Sequence, residues 1–205
     1  MTRLALPAGP WRLVTGSDDG TVRVWSISQR SSVAMIQNKA NVCSVQFSPT
    51  NANVVAFGSA DYKVYAYDLR HTQRPLVTLA GHRKAVSYVR WTGADQIVSA
   101  STDNTLKLWD VKRGVVGGSA GAGGSGTDMA AGGGSSSQSA CIRTFAGHSN
   151  QKNFVGMDVA LDGHIACGSE DNTVCLYARQ VLADIARHVI DTHVEVAFLG
   201  LKGIL

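Results

Sequence analysis

Long uncharged apolar runs are missing from this chain. A membrane-spanning helix needs about 18 or more such residues in a row, and no stretch approaches that, so no membrane partner is expected. The opening MTRLALPAGPW carries one Arg and a short apolar stretch broken by Pro7 and Pro10, too interrupted for a secretory signal. Cysteine is sparse as well. Cys43, Cys141, Cys167 and Cys175 include no CxxC pair, which argues against a zinc site and for free thiols in a reducing compartment. Charge of one sign is never concentrated: the net +4 over 205 residues comes from scattered Lys and Arg. A nucleic-acid-binding surface would show a cluster, so no nucleic-acid partner is expected. The chain reads as soluble and intracellular.

What it does have is glycine, 22 residues of it, and repetition. GSDDGTVRVW (Gly16 to Trp25), GSADYKVYAY (Gly58 to Tyr67), ASTDNTLKLW (Ala100 to Trp109) and GSEDNTVCLY (Gly168 to Tyr177) are variants of one phrase. Their shared aspartates, Asp19, Asp61, Asp103 and Asp171, are spaced 42, 42 and 68 residues apart. A period in the low forties, with an Asp in a turn and an aromatic six residues later, signals a β-propeller blade of four antiparallel strands. The excess in the third interval is a Gly/Ser/Ala tract between Gly114 and Ala140. It has almost nothing to bury and reads as a disordered surface loop.

The expected fold is all-β: a partial propeller of three to four blades over residues 12–178, interrupted by the loop at 114–140. Residues 1–11 read as a divergent leader without an inner strand, and 179–205 as a divergent tail. In that tail Val181, Leu182, Ile185, Ala186, Val189 and Ile190 fit one face of an amphipathic helix. On this reading the first blade lacks its inner strand and the last its outer strand. Terminal apolar residues such as Val22, Val24, Val174 and Leu176 would be left uncovered, and the isolated chain would self-associate.

Within the repeats, His82, Ser99, Asp103 and Trp109 are spaced as a structural tetrad: Asp accepts from His, His meets the hydroxyl, and the hydroxyl meets the indole N–H. Taken alone, His82, Ser99 and Asp103 could suggest a hydrolytic triad. Their place inside one blade favours satisfaction of buried polar groups instead, and no enzymatic activity is expected. The tetrad is incomplete elsewhere. Thr15, Asp19 and Trp25 remain in the first blade; Asp61 stands with Phe57 and Tyr67 in the second; His148 and Asp171 stand with Cys167 and Tyr177 in the fourth. No cofactor motif occurs. His188, His193, Asp191 and Glu195 match no metal-ligand spacing, so no metal is expected.

The repeats resemble the WD-repeat family, with Trp109-Asp110 as the literal Trp-Asp pair. AFGSADYKVYAYDLR (Ala56 to Arg70), LAGHRKAVSYVRW (Leu79 to Trp91), SASTDNTLKLWD (Ser99 to Asp110) and GHSNQKNFVG (Gly147 to Gly156) resemble the propeller of the plant suppressor-of-phytochrome-A (SPA) and constitutive-photomorphogenesis proteins. GSADYKVY favours the SPA branch. The resemblance implies a substrate-receptor-like module of a nuclear, light-signalling ubiquitin-ligase complex (otherwise a cytoplasmic protein) that binds Val-Pro-containing peptides of protein substrates. It also implies roles for residues. Lys84 would meet acidic residues of the peptide, Phe154 would wall the Val-Pro pocket, and Gln151 sits where the photomorphogenesis branch has an acid. Tyr67, Asp68 and Arg70 match the box that docks on a cullin-ring ligase adaptor. Trp109-Asp110-Val111-Lys112 is a weaker copy, because a Lys cannot form a bidentate fork. The competing expectation is a truncated splice or gene-model product with no independent function.

Overall fold

The computed structural model describes residues 12–114, 140–178 and 186–189. Its regular elements are nearly all strands. β1 (Arg12–Gly16), β2 (Thr21–Ser26) and β3 (Ser31–Gln37) form one antiparallel sheet. β4 (Val42–Phe47), β5 (Val54–Ser59), β6 (Lys63–Asp68) and β7 (Val77–Ala80) form the second. The third contains β8 (Val86–Trp91), β9 (Gln96–Ser101), β10 (Thr105–Asp110) and β11 (Cys141–Phe145), with a single helical turn, α1 (Val111–Gly114), after β10. The fourth contains β12 (Met157–Val159), β13 (Ile165–Gly168), β14 (Thr173–Tyr177) and β15 (Ala186–Val189).

Strands stay in order within each sheet because their turns are short and chemically specified. Asp19 accepts both the amide of Thr21, at 2.8 Å, and its hydroxyl, at 2.7 Å. Asp103 does the same for Thr105, at 3.0 and 2.6 Å. Asp171 accepts the Thr173 hydroxyl at 2.6 Å. Each is an Asp closing a tight reversal on its own chain. The second blade has Lys63 in place of the Thr, and there Asp61 takes the phenol of Tyr65 instead, at 2.7 Å.

Two-residue periodicity then sorts the side chains into three interfaces between successive sheets. Val14, Val22, Val24 and Ile36 pack on Val42, Phe47, Val55, Phe57 and Tyr67. The opposite face of the second sheet, including Ala56, Val64, Ala66, Val77 and Leu79, packs on Val86, Val89, Ile97 and Trp109. Leu106, Leu108 and Phe145 meet Met157, Ile165, Cys175 and Tyr177. Polar bonds cross between the inner strands. Trp91 N–H donates to Gln46 Oε1 at 2.8 Å, and Arg90 Nε reaches Asp158 Oδ1 at 3.3 Å, joining β4 to β8 and β8 to β12.

Three expectations are corrected. Val22 and Val24 are not left uncovered: they are 0% and 1% exposed, because they face the second sheet. Residues 186–189 are a strand, not helix. β15 pairs antiparallel with β14 from Thr173↔Val189 to Leu176↔Ala186, so the fourth sheet has its outer strand; the ladder satisfies backbone groups on the β14 edge, which a helix there would leave open. Val181, Leu182, Ile185 and Ile190 lie outside the described residues. The loop assigned to 114–140 is too wide at both ends. Gly114 closes α1 and is buried, and Ala140 is fully buried, with its carbonyl accepting the Asp110 N–H at 2.9 Å. A Cβ at Gly114 would stand 3.4 Å from the Ala140 Cβ, so the two ends of the tract meet. Residues 115–139 and 1–11 lie outside the described residues.

Candidate functional site

Sequence brought four polar side chains of the third blade into question, and in space they form one chain of hydrogen bonds. Trp109 Nε1–H donates to Ser99 Oγ at 2.8 Å, and Ser99 Oγ lies 2.7 Å from His82 Nε2. His82 Nδ1 lies 3.1 Å from Asp103 Oδ2, which also accepts the Arg83 N–H at 2.9 Å. Every distance fits a single direction of donation: indole to serine, serine to imidazole Nε2, imidazole Nδ1–H to carboxylate. Burial lowers the His82 pKa and keeps the ring neutral, which suits that tautomer. Burial works to raise the Asp103 carboxyl, but bonds from His82, Thr105 and the Arg83 amide outweigh it and hold it well below the usual carboxylate range. Gly81 makes room for the network, since a Cβ there would lie 3.1 Å from the Trp109 ring. The Ser99 hydroxyl is fully buried between His82 and Trp109, and in that position it has no approach path for a substrate.

The other blades substitute rather than omit. Trp25 Nε1 donates to Thr15 Oγ1 at 2.9 Å in the first. In the second, Asn38 stands in the loop where a Gly-His pair would be, and its amide reaches Ser59 Oγ at 2.8 Å; Asp61 and Tyr65 pair as described above. In the fourth, the Tyr177 phenol spans the gap left by Cys167 and meets His148 Nδ1 at 2.7 Å. Asn38 and Tyr65 were not singled out by sequence. Asn38 lies in the loop after β3 and Tyr65 on β6, and only the fold brings them to Ser59 and Asp61. Burial pushes the Cys167 thiol up to about 12 and Cys43 to about 11, so neither offers a thiolate.

Because strands alternate in direction, the loops entering β4, β8 and β12 lie at the same end of the sheets as the Asp turns. We call this the upper end. Lys84, in the loop before β8, is exposed there, and Phe154, in the loop before β12, is 52% exposed. They belong to neighbouring blades. Gln151 is exposed in the same loop as Phe154, and its backbone is pinned. Glu170 Oε1 accepts the N–H groups of Gln151, Lys152 and Asn153 at 2.9, 2.7 and 2.8 Å. These amides, that of Asn153 first, hold the Glu170 carboxyl below its ordinary value. Asn104 Oδ1 adds a bond from the Asn150 N–H at 2.7 Å. In the sequence Glu170 is only a letter of the repeated phrase GSEDNTVCLY; its role as a collar for the loop comes from folding.

Tyr67, Asp68 and Arg70 fall at the opposite, lower end. Tyr67 is buried between the first two blades. Arg70 forks onto Asp68, with Nε 2.9 and 3.2 Å from its two oxygens, while its side chain stays 64% exposed. That fork, chiefly, draws the Asp68 carboxyl down to about 2. In the third blade the turn of α1 rearranges the copy. Arg113 Nε, not Lys112, pairs with Asp110, at 3.2 Å, and Lys112 reaches Asp95 at 2.7 Å. Among the described residues no group of three or more His, Cys, Asp or Glu could hold a metal ion. His193, Asp191 and Glu195 lie outside them.

Antiparallel sheets packed face to face in series, each closed by an Asp turn and locked by buried polar side chains, define a β-propeller repeat protein. Residues 11–127 match the family model for the β-propeller N-terminal domain of nucleolar protein 10-like proteins, and residues 139–178 match that of the WD domain, G-beta repeat. The WD40 propeller of Doa1 superposes with a TM-score of 0.65 at 21% identity, covering 88% of this chain and 51% of that one. Protein SUPPRESSOR OF PHYA-105 1 of Arabidopsis thaliana is 50% identical over 175 residues, 85% of this chain. The E3 ubiquitin-protein ligase COP1 of Pisum sativum is 42% identical over 183 residues, 89% of this chain. The chain belongs to the WD-repeat β-propeller family, in the group formed by the suppressor-of-phytochrome-A and constitutive-photomorphogenesis propellers. It spans 15% of the length of the first relative and 23% of the second. Identity of this extent does not favour a product without function.

Proposed function

We propose that this chain is a protein-interaction module, the substrate-receptor-like propeller part of a nuclear, light-signalling ubiquitin-ligase complex. The observation that carries the reading is the 50% identity to a suppressor-of-phytochrome-A protein over 175 residues. The exposure of Lys84 and Phe154 at the upper end of adjacent blades supports it. An extended peptide crossing that end would meet both. The Phe154 ring offers an apolar wall for a Val-Pro pair, and Lys84 offers a cation to acidic residues. Gln151 would donate a hydrogen bond where an acid would repel such a ligand. Arg70, with its guanidinium oriented by Asp68 at the lower end, would serve a cullin-ring ligase adaptor, so the two partners would not compete.

Fluorescence anisotropy with a labelled acidic Val-Pro peptide tests this. Phe154→Ala should weaken binding about tenfold, the usual scale for a central aromatic anchor. Arg70→Ala should leave peptide binding unchanged and reduce capture by a purified adaptor. Absence of saturable binding, or indifference to both Phe154→Ala and Lys84→Glu, would refute the receptor reading.

A further inference from the structure

Cys167 on β13 and Cys175 on β14 are direct partners across the hairpin of the fourth sheet. Just beyond them Ser169 N–H donates to the Thr173 carbonyl at 2.9 Å. Hydrogen-bonded pairs recur every second residue along an antiparallel ladder, so the two cysteines form such a pair, with Cα atoms about 5.5 Å apart. A disulfide spans Cα separations of about 4.4–6.8 Å. Both side chains project to one face of the sheet. Both are 0% exposed, in the apolar cluster of Leu106, Leu108, Phe145 and Met157, and both thiols are free.

The repeat does not call for this pair. The matching partners are Thr15 and Arg23 in the first sheet, Phe57 and Tyr65 in the second, Ser99 and Lys107 in the third. None of those pairs can be oxidised to a bond. In the fourth sheet a bridge is within reach but not relaxed. The Cβ atoms of a hydrogen-bonded pair stand near the upper end of about 4.5–5.5 Å, against about 3.5–4.5 Å in a disulfide. A strained bridge is readily reduced, the property of a reversible bond rather than a permanent one.

We propose that Cys167 and Cys175 are a reversible redox switch, a dithiol that hydrogen peroxide converts to a disulfide inside the fourth blade. One sulfur, as thiolate, attacks a peroxide oxygen and becomes a sulfenic acid, and the other oxygen leaves as water. The second sulfur then attacks the sulfenic sulfur, and its proton leaves with the displaced hydroxide. Two thiols and one peroxide give one disulfide and two waters, two electrons passing from sulfur to peroxide. Burial keeps Cys167 protonated in the closed fold, so the reaction proceeds when the fourth sheet opens locally. The bridge also has an outlet. Tyr177 lies two residues from Cys175, on the same face of β14. Its phenol meets His148 Nδ1 at 2.7 Å, at the head of the loop that enters β12. Drawing β13 and β14 together displaces that phenol and loosens the loop.

The test treats the whole chain with hydrogen peroxide under native conditions, then unfolds, alkylates and digests it with trypsin. No Lys or Arg separates Cys167 from Cys175, so one peptide holds both. That peptide should be lighter by two hydrogens and carry no alkyl group, and dithiothreitol should restore both alkylation sites. The oxidised chain should have a lower thermal midpoint, because strain outweighs the small entropic gain from so short a loop. Its amide exchange at residues 149–153 should quicken. The double variant Cys43→Ser, Cys141→Ser should behave in the same way, since neither residue contributes a sulfur. Full alkylation of Cys167 and Cys175 after peroxide, oxidation that stops at a sulfinic acid, or a bridge to Cys43 or Cys141 would overturn the proposal. A bridge that raises the thermal midpoint and leaves exchange at 149–153 unchanged would make it a structural staple, and would overturn the switch.

Discussion

Removing the imidazole of His82 leaves Asp103 Oδ2 without its ring partner and the Ser99 hydroxyl without its acceptor, both inside the third blade. His82→Ala should therefore destabilise the chain by about 1–3 kcal/mol, measured by denaturant unfolding. The network also sets a pH dependence. The His82 pKa is lowered in the fold, so neutral His82 is favoured by folding. Its contribution is complete above the ordinary value of 6.5 and is lost as pH falls below it. Asp103 is lowered too, and its contribution disappears only at lower pH, below the ordinary 3.8. The thermal midpoint should drop as pH goes from 7 to 5, and the drop should be smaller in His82→Ala; a variant as pH-sensitive as the parent would contradict the assignment. The partners of His82 could be read from sequence because the repeat puts them at fixed offsets within one blade. The replacement of a missing group by Tyr65, Asn38 or Tyr177 could not. It depends on how the loops before β4 and β12 and the turn before β6 fold back onto their sheets, which alternation within a strand does not give.

At the level of elements, the Gly-rich tract is a detour between two points already in contact, since Gly114 and Ala140 pack together against Val77 and Leu79. Replacing residues 117–138 by a short Gly-Ser turn should leave the thermal midpoint within a few degrees, because closure entropy depends weakly on loop length. A deletion that abolishes cooperative unfolding would show that the tract carries structure. The loop bearing Phe154 should behave differently. Glu170→Ala takes away the acceptor of three consecutive amides, so exchange at Gln151, Lys152 and Asn153 should quicken while β13 and β14 stay protected. Equal exchange in both proteins would mean that Glu170 does not hold the loop. The strands and turns were legible in the sequence because hydrophobic alternation and the Asp-x-Thr turns are local signals. β15 was not. Its residues also fit a helical face, and a strand of four residues acquires its identity only from the β14 edge it joins.

At the scale of the molecule, each blade depends on a neighbour to bury one face. The interfaces between successive sheets are closed, but the far faces of the first and fourth sheets are less so. Val33 and Met35 are 44% and 47% exposed, and Val174 and Leu176 are half-buried among the described residues. The isolated chain is expected to sediment as a dimer or larger species in a concentration-dependent way, and charged replacement of Val33 and Met35 should shift it toward monomer. A compact monomer at all concentrations would show that these faces are covered. On the proposed receptor reading, the two ends of the strands serve different partners, and the upper one is the peptide face. Hydrogen exchange of the unmodified chain, with and without the acidic Val-Pro peptide, tests this most directly. Added protection is expected at residues 83–85 and at 151–154, with residues 68–71 unchanged. Protection at the Asp68–Arg70 end, or none at the loops carrying Lys84 and Phe154 under saturating peptide, would contradict it.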